Sequence, residues 1–243
     1  MMIKAVLFDL DGTLLPMDQD VFVATYFSAL AEKLSHHGYD KEALTAVIWK
    51  SMKAMMKNTT DAYNEAVFWQ IFTEAYGEKG RADTVIFEEF YEKDFPKVQK
   101  VVGFAPEARK TVELVKKLGM KAVLATNPMF PKAATYQRVT WAGLSLSDFE
   151  MISTFEDFTR CKPNPEYFTE LLGKLGLLPE EVVMVGNDAY EDMAAAKLSI
   201  PVFLLTHSLV NRHGIDITEI PHGDFNDLAA WITAIGKLEP RES

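Results

Sequence analysis

The sequence is poor in several things, and each shortage narrows what the chain can be. Of its 243 residues only Cys161 is a cysteine, so no disulfide can close within the chain and no cysteine-based metal site can be assembled. With no histidine near it in sequence, that thiol also lacks the partner base a cysteine nucleophile needs. The five histidines, at 36, 37, 207, 213 and 222, show no metal-ligand spacing and read as surface residues. Cations are scarce: 25 Lys and Arg against 35 Asp and Glu leave a formal charge of −10, which works against extended contact with nucleic acid or anionic lipid. Long hydrophobic runs are missing too, and the opening MMIKAVLFDLDG holds only about five apolar residues before two aspartates, well short of the ~20 a membrane span requires. A soluble, cytoplasmic protein with no nucleic-acid and no membrane partner is expected. Nothing in the pattern selects monomer over homodimer.

What is present is periodicity. At 48% hydrophobic composition the chain can fill one globular core and a smaller accessory domain. Five short apolar runs, at Ile3–Phe8, Ala122–Ala125, Met151–Ser153, Val182–Val185 and Ile200–Leu205, read as buried parallel strands. Between them lie helical stripes such as Val112, Val115 and Leu118, or Phe168, Leu171, Leu172 and Leu175. Asn164-Pro165 should open the second of these, as N-cap and first helical residue. From about Pro16 to Phe104 the pattern is instead a succession of amphipathic helices. Their stripes are Val23, Phe27, Leu30 and Leu34; Leu44, Ile48, Met52 and Met55; Phe68, Ile71, Phe72 and Ala75; and Ile86 with Phe90. The reading is an α/β, Rossmann-like doubly wound parallel sheet core, residues 1–16 and 104–243, with an inserted α-helical domain over 17–103. The polar stretch from Met56 to Asp61 is a candidate for a loop facing the site.

Candidate chemistry gathers where the expected strands end. The first runs into Asp9-Leu10-Asp11-Gly12-Thr13, two carboxylates two residues apart at a strand's carboxyl end, where ligands bind in open α/β sheets. Extended geometry would turn both to the same side, and Gly12 lets the chain turn so that backbone N–H groups approach an anion. Thr126-Asn127-Pro128 follows the second strand, Cys161-Lys162-Pro163 the third, and Gly186-Asn187-Asp188 with Asp192 the fourth. Singly, these are ordinary turn chemistry, a solvated lysine and helix N-capping. Together they suit phosphoryl transfer, because a carboxylate attacking a phosphate needs fixed positive charge and a metal ion to overcome like-charge repulsion. Oxygens from Asp9, Asp11, Asn187 and Asp188 suit Mg²⁺, with Lys162 supplying the remaining neutralisation.

In this order the motifs resemble those of the haloacid dehalogenase-like (HAD) hydrolase superfamily. The resemblance spans the chain and implies a helical C1-type cap between the first and second motifs. It implies Asp9 as the nucleophile forming an aspartyl-phosphate and Asp11 as general acid, then base. Thr126 is implied as a phosphoryl-binding hydroxyl with Asn127 as helper, and Lys162 as the lysine neutralising phosphoryl group and nucleophile. The fourth motif usually carries Asp directly after its glycine; here that place holds Asn187, with Asp188 next, so either could be the metal ligand. Asp192 is expected to orient Lys162 or the ion's outer shell. The implied activity is a Mg²⁺-dependent phosphatase acting on a small phosphorylated metabolite. Dehalogenases and phosphonatases of this fold lack an acid/base aspartate at the place of Asp11, whereas a phosphomutase would keep it. A non-catalytic binder of phosphorylated ligands is the reading from another class, with Asn187 as its argument.

Overall fold

The computed structural model describes residues 2–236; Met1 and the last residues of the expected core segment, 237–243, lie outside the described residues. Five strands, β1 (Ala5–Phe8), β2 (Lys121–Leu124), β3 (Val182–Gly186), β4 (Val202–Leu205) and β5 (His222–Gly223), form one sheet in the order β2-β1-β3-β4-β5. Every pairing is parallel. Parallel strands need crossovers that cover both faces, which is why β1 and β3 are buried at every position. Alternation then sorts the side chains. Val6, Phe8, Leu124 and Val185 point to a face covered by α5 (Pro106–Lys117), α6 (Lys132–Trp141) and α8 (Phe225–Gly236). Ala5, Leu7, Val123 and Met184 point to the other, covered by α7 (Pro165–Leu175) and a 3₁₀ helix over Asp192–Leu198.

One expected strand is absent. Met151–Ser153 is not a strand but a single parallel bridge, Ile152 to Leu124, at the sheet edge. Its backbone bonds are few because the chain departs at once into a turn whose direction Ser153 and Phe155 fix, Ser153 Oγ lying 2.6 Å from Thr126 O and Phe155 N 3.1 Å from Phe130 O. Conversely, β5 carries no apolar run and owes its two residues to pairing with β4.

Four helices lie between β1 and α5: α1 (Gln19–Ser35), α2 (Lys41–Met56), α3 (Asn64–Ala82, broken at Gly77, φ 60°) and α4 (Thr84–Lys93). Asp18 and Asp40 accept hydrogen bonds from the first-turn N–H groups of α1 and α2, so each start is encoded locally. The expected stripes are buried in α2 and α4; in α1 Phe27, Leu30 and Leu34 are buried and Val23 half-buried, and in the α3 stripe Phe68 and Phe72 are buried, Ile71 half-buried and Ala75 exposed. The two chain crossings lie side by side, Gly103 N donating to Pro16 O at 2.6 Å next to an antiparallel Met17–Val102 bridge. The insert also shares the core's apolar cluster, with Phe95 stacked on Trp141 at 5.1 Å between ring centroids. Of the 56–61 stretch, Asn58 and Thr60 dock on the core, buried Asn58 donating to Thr159 O at 2.8 Å and Arg160 Nη1 to Thr60 O at 2.6 Å, while Met56 borders a larger cleft beside the site. Among the described residues no helix is long and apolar enough to cross a membrane, and all five histidines are exposed.

Candidate active site

Asp9 leaves the carboxyl end of β1 with its N–H still held by Val185 O at 2.9 Å, between β2 and β3 where the order of strands reverses. Its carboxylate is buried and paired: Lys162 Nζ lies 3.0 Å from Oδ1, and Thr13 Oγ1 lies 3.2 Å from Oδ2. Burial is the largest influence on it and pushes its carboxyl above the usual range, opposed by Lys162, while Asp192 and Asp11 push the same way as burial. A small cavity of about 110 Å³ opens in front of it, walled by Asp9, Asp11, Thr126, Asn127, Asp188 and Glu191 among others.

Lys162 reaches this point without a strand to carry it. Its ammonium is fully buried between Asp9 and Asp192, 2.7 Å from Asp192 Oδ1, and despite desolvation these two carboxylates hold it firmly protonated. The loop is fixed from both sides. Asn127 Oδ1 accepts from Lys162 N at 3.2 Å, and the Glu170 carboxylate accepts from Thr159 N and Arg160 N. Asn127 also donates to Glu191 Oε2 at 2.8 Å, so its amide, expected to help bind phosphate, is already spent on positioning its neighbours. Asp192 Oδ2 takes the N–H groups of Asn187 and Asp188, each at 2.9 Å, joining the lysine to the loop after β3.

Gly12 was expected to bring backbone N–H groups toward an anion, but its own N–H donates to Leu15 O at 2.8 Å. What it contributes is space. At φ +83° a Cβ would lie 2.3 Å from Asn187 Nδ2. Asn187 is buried and used at both ends, Nδ2 donating to Ser208 O at 2.7 Å and Oδ1 lying 2.9 Å from the Thr13 hydroxyl. Asp188 Oδ1 caps the following turn, accepting from Tyr190 N and Glu191 N, as the sequence allowed for this loop, and yet its side chain faces the cavity.

Two participants escaped the sequence reading. Glu191 lies on the cavity wall, its carboxyl pushed up to about 8 chiefly by burial. Arg138, on α6, is fully buried and pairs with Asp11 Oδ2, its guanidinium 4.2 Å from the centre of the Phe130 ring. The available signal was an arginine at 138, three and four residues from the buried Thr135 and Ala134 of the same helix face. The pairing leaves Asp11 Oδ1 buried with no hydrogen-bond partner. Cys161 is buried as well, and burial pushes its thiol well up, away from nucleophilic use.

The fold has counterparts among known proteins. A profile of haloacid dehalogenase-like hydrolases matches residues 3–199, and the chain belongs to that family. It is 29% identical over 212 residues to a phosphoglycolate phosphatase of Yersinia pestis, covering 84% of this chain and 82% of that one. It is 23% identical over 238 residues to pyrophosphatase PpaX of Oceanobacillus iheyensis, covering 97% and 98%. Among solved structures, a 2-haloacid dehalogenase from Pseudomonas syringae pv. Tomato DC3000 matches with a TM-score of 0.66 at 20% identity, over 96% of this chain and 99% of that one, a likeness of fold.

Proposed function

We propose that this chain is a Mg²⁺-dependent phosphatase that hydrolyses a small phosphomonoester through a phosphoryl group carried transiently on Asp9. The observation that carries the reading is a buried strand-end carboxylate 3.0 Å from a fully buried lysine, on the wall of a cavity it shares with Asp11 and Thr126. Asp9 attacks phosphorus and the ester oxygen leaves with a proton from Asp11. Asp11, then ionised, takes a proton from water as that water attacks phosphorus and frees Asp9. Lys162 offsets charge on Asp9 and the phosphoryl oxygens throughout, and the Thr126 hydroxyl faces the same space. Asp11 Oδ1, which no protein group engages, would carry that proton in the substrate complex while Oδ2 keeps its bond to Arg138. Asn127 and Asp192 act through Lys162 as positioning residues. Relatives named as phosphatases agree with this reading.

The residues present fit a divalent cation. Asp9, Asp11, Asp188 and Glu191 crowd one small cavity, more carboxylate than Lys162 and Arg138 balance. Among the described residues no three His, Cys, Asp or Glu side chains gather closely enough to hold an ion alone. Mg²⁺ keeps several waters and takes one or two carboxylates plus substrate phosphate, so it needs few protein ligands. Asp9 and Asp188 would hold it, with Asp11 beside them. Asn187 contributes less because it is absent from the cavity wall. The bound ion supplies neutralisation of the phosphoryl oxygens. Residues 17–103 are read as a C1-type cap and residues 1–16 with 104–243 as the core.

Mg²⁺ titration of p-nitrophenyl phosphate hydrolysis tests the reading. Metal-dependent turnover that Asp9→Asn abolishes without lowering the melting temperature by more than a few degrees is expected. Near-normal rates in Asp9→Asn would refute the nucleophile.

A further inference from the structure

The phosphate cavity is too small to hold a substrate's alcohol portion, and it opens into a larger one of about 1160 Å³ between α1, α2 and the loops after β2 and β3. Met52, Met129, Asp188 and Glu191 border both, so a group leaving Asp9's side enters this space. Its wall is apolar and incompletely covered, with Trp49 41% exposed and Met56 39% from α2, and Tyr190 46% from the core. Phe27 meets Trp49 in a T-shaped contact at 4.9 Å between centroids. The charges on the wall have one dominant sign. Asp20, Glu32, Glu42, Asp188 and Glu191 oppose two cations, Lys41 and Arg212. Neither cation is free: Lys41 pairs with Glu32, and Arg212 Nη2 lies 2.7 Å from Asp20 Oδ1.

From this we infer the substrate class: a phosphomonoester whose alcohol portion is apolar or aromatic and carries no negative charge of its own. The inference rests on the phosphatase reading of the site. An apolar ring would cover Trp49 and Met56 and gain from their desolvation, whereas a carboxylate or second phosphate would meet the unpaired Glu42 and no unpaired cation, because Glu32 and Asp20 already hold Lys41 and Arg212. Phosphoglycolate and pyrophosphate, to which the relatives' names point, are therefore poor substrates for this chain.

Primary alkyl esters of similar leaving ability isolate the effect: 2-phenylethyl phosphate, ethyl phosphate and phosphoglycolate, compared by kcat/KM with saturating Mg²⁺. The phenylethyl ester is expected to exceed ethyl phosphate by about tenfold or more, mostly through KM, and phosphoglycolate to fall below ethyl phosphate. Trp49→Ala should bring the phenylethyl-to-ethyl ratio back toward one. Thr45→Lys, which adds a cation to the α2 wall, should raise kcat/KM for phosphoglycolate. Phosphoglycolate turning over as well as the phenylethyl ester, or a flat response across the three, overturns the inference while leaving the phosphatase reading intact. Failure to hydrolyse all three esters and p-nitrophenyl phosphate overturns both.

Discussion

The ion pair between Arg138 and Asp11 can be tested without reference to activity. Arg138 is fully buried and its partner's side chain is 18% exposed, so each charge depends on the other for most of its stabilisation. Arg138→Met keeps the apolar stem and removes the guanidinium, together with its bonds to Thr135 Oγ1 at 3.2 Å and Ala134 O at 3.4 Å and its contact with the Phe130 ring. Removing one partner of a buried pair typically costs 3–5 kcal/mol, and the partial exposure of Asp11 recovers some hydration, which leaves about 3 kcal/mol here. In a chain of this size that lowers the melting temperature by roughly 6–12 °C. Asp11→Asn strands the buried guanidinium and should cost a similar amount. The double variant carries neither charge, so its loss should fall short of the sum of the singles by about 2 kcal/mol or more. Urea denaturation of the four proteins in metal-free buffer measures this directly. Losses that add within about 0.5 kcal/mol would show that the two charges are not coupled and would refute the argument.

Lys162→Met should abolish turnover and also destabilise the fold by roughly 3–5 kcal/mol in urea, because Asp9 and Asp192 are then buried with no cation between them. Gly12→Ala should cost roughly 1–3 kcal/mol and depress kcat, since the new methyl at φ +83° pushes into Asn187; a melting curve and a rate constant suffice to check both. Asn187→Asp should lower the Mg²⁺ concentration for half-maximal activity by adding a negative charge behind Asp188, next to the ion's site. It should also destabilise the metal-free protein by about 1–3 kcal/mol, because Ser208 O would face a carboxylate instead of the amide donor now 2.7 Å away.

Local patterning made much of this protein legible before any coordinates. The apolar run before Asp9, the stripes of α2 and α4 and the Asn164-Pro165 helix start depend on neighbours within a few residues and appear where their spacing indicates, whereas the α3 stripe fails at Ala75, which is exposed. Met151–Ser153 misled because a short apolar run reports burial, and burial is satisfied by one bridge at a sheet edge as readily as by a strand. The site divides along the same line. Residue types and order marked Asp9, Asp11, Lys162 and Asp188, but the partnership of Asp11 with an arginine 127 positions away, the spending of the Asn127 amide on Lys162, and the apolar, acid-rimmed cleft beyond them exist only after packing. Periodicity is a property of adjacent residues and can be read along the chain. A buried charge's partner is decided by which distant groups the core forces out of water together, and that is known only from the folded molecule.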